Sequence, residues 1–279
     1  MKKMYFSLLG LVITCLLVPA QNSRILGDAV DMSADFANFR NTFFFADKVA
    51  SFNPSTAKGT ISWKRATLYT RQAFDVNTIL PQDLKMLDFP GAAYEQNPEL
   101  RFSIDFVSER TVRIRMLTTP VEPKPFNSPM LVGEPAQDKS WKCSAIPGGL
   151  RYRSAFGSVD LEMNPFRLTL RNAAGRVLTD TWRWADNDSS QVKVLPFNFI
   201  KRGVDNSRSI NPVFSLSPDE KIFGCGESFT RLDKHGQKVN LWVTDPQGPE
   251  TDQMYKPIPF FMSNKGYGMF MHTSAPVTC

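Results

Sequence analysis

An all-β fold of two packed sheets is predicted by three features of this 279-residue chain. Apolar and polar residues alternate at strand period, sustained helical periodicity is missing after residue 50, and 22 phenylalanines supply the flat apolar side chains that fill space between sheets. Leu100, Phe102, Ile104 and Phe106 alternate with Arg101, Ser103 and Asp105, and Val112, Ile114 and Met116 alternate with Arg113 and Arg115. The link between the two runs, Val107 to Thr111, is short and polar, which predicts an antiparallel hairpin.

Phe166, Leu168 and Leu170 repeat the pattern before Asn172, Ala173, Ala174 and Gly175, a turn after which Val177 resumes the strand. Further short strands are expected at 150–156, 158–163, 239–242 and 268–273. Pro120, Pro123, Pro125 and Pro129 exclude both helix and central strand from the stretch between Thr119 and Glu134, which reads as a loop or linker. Residues 21–60 form an N-terminal extension to which no fold is assigned. Phe36, Phe39, Phe43, Phe44 and Phe45 are available there for packing, and Asn53 to Gly59 has the look of an unstructured stretch. The β-sandwich domain is placed at residues 61–279.

The N-terminus reads as an address. Lys2 and Lys3 precede an almost wholly apolar run from Tyr5 to Leu17, and Val18, Pro19 and Ala20 offer a peptidase site, so residues 1–20 are expected to be a signal peptide and the product periplasmic or extracellular. The apolar run is shorter than the roughly 20 residues a membrane-spanning helix needs, and no stable membrane span is expected. Cys15 lacks the small preceding residue of a lipidated cysteine. Cys143, Cys225 and Cys279 are an odd set without a C-x-x-C pair and read as free thiols rather than a disulfide framework or a zinc site. The formal charge of +6 is dispersed in pairs such as Lys64 with Arg65 and Lys201 with Arg202; without a basic stripe, a nucleic-acid partner is not expected.

Several motifs fail on inspection. Gly224, Cys225 and Gly226 begin like a dinucleotide fingerprint, but Phe229 stands where the third glycine belongs and no βαβ unit surrounds it, so no cofactor is expected. The glycines instead suit a bent strand or a close backbone approach. Ser228 lacks the setting of a nucleophile elbow. The chain's two histidines, His235 and His272, rule out a multi-histidine metal centre and read as structural. Asp245, Glu250 and Asp252 crowd one loop with Pro246, Gly248 and Pro249, where aspartate also serves ordinary turn chemistry.

The stretch from Lys221 onward resembles the end of the N-terminal domain of glycoside hydrolase family 31, the α-glucosidases and α-xylosidases. The resemblance is carried by F-G-x-G-E at Phe223 to Glu227, by Lys234 with Gly236, and by Trp242 with Asp245. Tyr-x-x-x-Pro-Phe from Tyr255 to Phe260 and the run Gly266 to Phe270 complete it. Weaker agreement through Asn164, Pro165 and Phe166 extends it over residues 60–279. The resemblance implies a galactose-mutarotase-like β-supersandwich placed before a (β/α)8 barrel, whose two aspartates act as nucleophile and acid/base in a retaining mechanism. Those aspartates are absent from this chain, which on this reading has no catalytic residues or metal of its own.

In the family a loop of this domain reaches the barrel mouth, and Thr244 to Tyr255 matches it. The resemblance thus makes Asp245 and Tyr255 the substrate-binding candidates: Asp245 to accept sugar hydroxyls, and Tyr255 to stack on a sugar face or to pack beneath the loop. Glu227 is expected to satisfy backbone or arginine donors. The implied partners are an α-linked oligosaccharide or xyloglucan-type glycan and the downstream barrel. The alternative is a stand-alone secreted glycan-binding β-sandwich without hydrolytic activity.

Overall fold

The computed structural model describes residues 31–38, 41–71, 76–81, 97–121, 131–133, 137–182, 197–244 and 252–279. They fall into two compact units, Ala34–Glu220 and Lys221–Cys279, the second also taking in residues 31–33. The Pro123, Pro125 and Pro129 loop, the signal segment and Asp245 lie outside the described residues. Among the described residues the helical structure is one 3-10 segment, Met32–Ala37, and no helix is long and apolar enough to cross a membrane.

The first unit is built from twelve strands: β1 (Thr42–Asn53), β2 (Lys58–Arg71), β3 (Val76–Pro81), β4 (Glu99–Ser108), β5 (Thr111–Met116), β6 (Lys142–Ile146), β7 (Gly149–Arg153), β8 (Gly157–Glu162), β9 (Arg167–Asn172), β10 (Val177–Asp180), β11 (Asn198–Lys201) and β12 (Arg208–Asn211). A seven-stranded sheet runs β12-β11-β1-β2-β4-β5 with β3 beside β2, and a five-stranded sheet runs β10-β9-β8-β7-β6. Every strand pairing in the unit is antiparallel. Both hairpins expected from the sequence are present, β4 with β5 and β9 with β10.

The stretch to which the sequence assigned no element contains β1, a strand that lies between β11 and β2 in the large sheet. It joins β2 through a turn at 54–57, so Asn53 to Gly59 is a hairpin end rather than an unstructured segment. The local signal was hidden because Phe43, Phe44 and Phe45 are all buried, leaving no alternation to read. Phe44 faces the core between the sheets and stacks on its register partner Phe199 at 4.7 Å. Phe43 meets Phe36 edge-on at 6.4 Å, so both faces of β1 are covered.

One core joins the two sheets. Ile61, Trp63, Leu100, Phe102 and Ile104 from the large sheet pack with Tyr152, Val159, Leu161 and Leu168 from the small one. Trp63 lies edge-on to Phe199 at 4.8 Å and Phe102 edge-on to Phe166 at 6.2 Å, geometries that the ring quadrupoles favour. Each such side chain contributes roughly 1.5–3 kcal/mol by leaving water.

The opposite sheet faces repeat one ionic device. Asp160 on β8 lies directly across from Arg151 on β7, which holds both carboxylate oxygens at 2.6 and 2.7 Å, and Arg171 reaches it diagonally from β9 at 2.8 Å. On the large sheet Asp105 is held by Arg113, its register partner, at 3.1 Å and by Arg115 at 2.8 Å. Asp180 pairs with Arg167 and accepts a hydrogen bond from Ser215. A central-strand carboxylate clamped by two neighbouring arginines covers its own face of the sheet with the guanidinium stems. Burial raises the pKa of Asp160, but the hydrogen bonds and charges of Arg151 and Arg171 outweigh it and leave the carboxyl below its ordinary range.

Asp160→Asn is therefore expected to cost about 2–3 kcal/mol at pH 7, less than for a fully buried pair because both guanidiniums are partly exposed. The folded-state pKa lies below the unfolded value of about 3.9, so this stabilisation is complete above that pH and is lost as pH falls through the folded-state value. Urea denaturation from pH 7 to 3 should show the variant and the parent converging in acid; a constant gap at every pH would remove the charge from the explanation.

Candidate functional site

The second unit carries all the motifs of the resemblance from Lys221 onward. Its strands are β13 (Ile222–Glu227), β14 (Asn240–Leu241), β15 (Lys256–Ser263), β16 (Tyr267–Phe270) and β17 (Val277–Thr278). The order β13-β15-β16 makes one sheet and β14-β17 a second. Cys225, Val239, Leu241 and Met254 form its core, with Phe261, Met271 and Val277 packed against them. Asp31 ties the N-terminal residues to this unit through Lys238, 2.8 Å away; bonds from Lys238 and Ser33 hold its carboxyl at about 2.

The F-G-x-G-E block is a backbone device. Gly224, Cys225 and Gly226 all take positive φ, at 122°, 67° and 99°, and the register against β15 slips between Gly224 and Gly226. A Cβ at Gly224 would stand 2.7 Å from the Phe260 carbonyl oxygen, and one at Gly226 only 2.1 Å from that of Lys256. The glycines thus serve a close strand-to-strand approach with a bulge, as the sequence suggested, and the bulge turns Cys225 into the core. Glu227 closes the strand opposite Lys256, its ammonium 3.9 Å away, with both side chains largely in solvent. Its partner is a lysine, where an arginine or backbone donor was expected.

Lys234 and Gly236 also have local reasons. Asp233 accepts hydrogen bonds from the backbone N–H of Ile222 at 3.2 Å and of His235 at 3.0 Å; the His235 bond is the main cause of its lowered pKa. Gly236 takes φ 69° in the following turn. The buried Lys234 donates through Nζ to Thr230 Oγ1 at 2.6 Å and Ser228 Oγ at 3.1 Å. Sequence reasoning had no signal for that burial, since lysine in a polar turn reads as solvated. His272 stacks on Phe270 with ring centres 5.8 Å apart.

The candidate loop is described at its two ends. Val243 bridges Met254 in parallel, and the Thr244 N–H donates to the Met254 carbonyl at 3.1 Å, so the segment leaves and re-enters the unit at one place. Asp245 and Glu250 lie outside the described residues, while Asp252 is exposed. Met254 fills the core beneath the loop, and the next residue, Tyr255, is 57 % exposed. Trp242 and Val243 at the other end are exposed as well. Thr244 Oγ1 is buried without a hydrogen-bond partner among the described residues. No group of His, Cys, Asp or Glu among the described residues has the spacing to hold a metal ion.

Fold and motifs together define an antiparallel β-supersandwich whose last unit is organised around a glycine bulge and one tied-off loop. The chain belongs to the glycosyl hydrolase 31 N-terminal galactose mutarotase-like domain family, whose model matches residues 101–279. It is 47% identical over 64 residues to the α-xylosidase XylQ of Lactiplantibacillus pentosus, a match covering 23% of this chain and 8% of that enzyme. An α-xylosidase of Emericella nidulans is 43% identical over 63 residues, again 23% of this chain and 8% of the relative. The crystal structure of a Flavobacterium johnsoniae GH31 dextranase complexed with glucose superposes with TM-score 0.53 at 16% identity, covering 83% of this chain and 23% of that one, a likeness of fold. The chain thus corresponds to a small part of each of these relatives.

Gly226→Ala is expected to destabilise the second unit by about 3 kcal/mol or more, because backbone on the neighbouring strand must move. Gly236→Ala, with nothing within 4 Å of the added methyl, should cost only about 1–2 kcal/mol for the left-handed backbone. Limited proteolysis within 221–279 and denaturant midpoints for the two variants check the ranking.

Proposed function

We propose that this chain is the exported N-terminal, non-catalytic part of a retaining α-glycosidase of the α-xylosidase or α-glucosidase type, and that its Thr244 to Tyr255 segment helps shape the sugar pocket. The observation that carries the proposal is the 47% identity with an α-xylosidase, set beside a family match over residues 101–279. In this reading Asp245 accepts sugar hydroxyls and Tyr255 stacks on an apolar sugar face. The exposure of Tyr255 beside buried Met254 supports the second role.

Hydrolysis itself would fall to a downstream (β/α)8 barrel carrying two carboxyl groups roughly 5–5.5 Å apart, as retention requires. Ile258, Met262 and Phe270, each about half exposed on the β13-β15-β16 sheet, supply apolar surface of the kind a docked domain covers. The signal-like residues 1–20 support export to the periplasm or beyond.

The test is to express the reading frame with its downstream coding sequence beside residues 21–279 alone, and to assay both on p-nitrophenyl α-xyloside and α-glucoside. Cleavage by the long form only is expected, with Tyr255→Ala in that form lowering kcat/KM about tenfold, equivalent to about 1.4 kcal/mol of lost binding. Hydrolysis by residues 21–279 alone, or a reading frame that encodes no barrel, would sink the proposal.

A further inference from the structure

We propose that Cys225 and Cys279 form a dithiol redox site that closes into an intramolecular disulfide on reaction with a low-molecular-weight disulfide such as oxidised glutathione. Both cysteines are free thiols here. Cys225 is swung into the core by the bulge of β13 and packs with Val239. Cys279 pairs with that same Val239, each N–H donating to the other's carbonyl at 2.8 Å, so their side chains share one face. That places the Cys279 side chain on the side where Cys225 packs, near enough for each thiol to shift the pKa of the other.

The surroundings favour one thiolate shared between the two sulfurs. Hydrogen bonding with Cys279 lowers the pKa of Cys225, helped by the charge of Lys234, and the same interaction raises that of Cys279. Lys234 keeps its ammonium in place through Ser228 and Thr230. A low-pKa thiol beside a lysine and a second thiol is the arrangement that thiol–disulfide exchange needs.

Cys279, the exposed member of the pair, exchanges first. Its proton passes to the Cys225 thiolate, the Cys279 thiolate so formed bonds to one glutathione sulfur as the glutathione S–S bond breaks, and the released glutathione thiolate takes that proton from Cys225. The Cys225 thiolate then attacks Cys279 Sγ, the mixed disulfide breaks, and the second glutathione leaves as a thiolate that solvent protonates. Two protein thiols are oxidised by two electrons, and one glutathione disulfide is reduced to two thiols. The disulfide would fasten the end of β17 to the F-G-x-G-E strand.

The test incubates the purified chain with oxidised glutathione, blocks remaining thiols by alkylation, and maps peptides by mass spectrometry. Loss of two thiols, a linked peptide pair containing Cys225 and Cys279, and full recovery with dithiothreitol are expected, with Cys143 alkylated throughout. Cys143→Ser should leave the linkage unchanged. Cys279→Ser, checked for folding by circular dichroism, should abolish it and leave Cys225 as a thiol. A lasting glutathione adduct on Cys279 in the parent chain, a bridge involving Cys143, or no thiol loss would each overturn the proposal. None of these outcomes depends on whether the chain serves a glycosidase.

Discussion

The first unit depends on the core its sheets share: two antiparallel sheets must present their aromatic rows to each other, and Trp63, Phe44, Phe199, Phe102 and Phe166 are part of it. Rings of this size leave water together or not at all, because removing one leaves a void that the stiff strands around it cannot close. The core also sets the register of each strand. A slip of one residue would carry Phe102 and Ile104 out of the core and put Ser103 and Asp105 into it.

That same constraint explains the arginine clamps. In β4 and β8 strand alternation puts an aspartate beside the core residues, and burying the carboxylates of Asp105 and Asp160 is offset by guanidiniums from neighbouring strands. The clamps make the wrong register costly as well, since the carboxylate of a slipped strand would lose its direct partner. Core and clamp therefore specify one strand order from opposite sides of each sheet.

In the second unit the organising constraint lies in the backbone. Gly224 and Gly226 let β13 and β15 approach more closely than any side chain allows, and the resulting bulge decides that Cys225 points inward. Met254 is anchored in the same core, so the loop between Thr244 and Met254 hangs from a fixed base with Tyr255 directed outward. A family signature that looks like a ligand motif is in this way a scaffold motif.

The sequence by itself determined the fold class, both early hairpins and the family. Period-two alternation, turn residues and the Lys221–Phe270 motifs are local patterns, and locally encoded geometry can be read without knowing what a strand packs against. It also excluded the dinucleotide reading of Gly224 to Gly226 from the missing third glycine alone. Only the tertiary structure decided that Phe43 to Phe45 are a central strand, that Lys234 is buried, that Glu227 faces Lys256, and that Cys279 pairs with Val239 beside Cys225. Each of those is set by a partner distant in sequence or by a backbone bend, and neither leaves a periodic trace in the residues themselves.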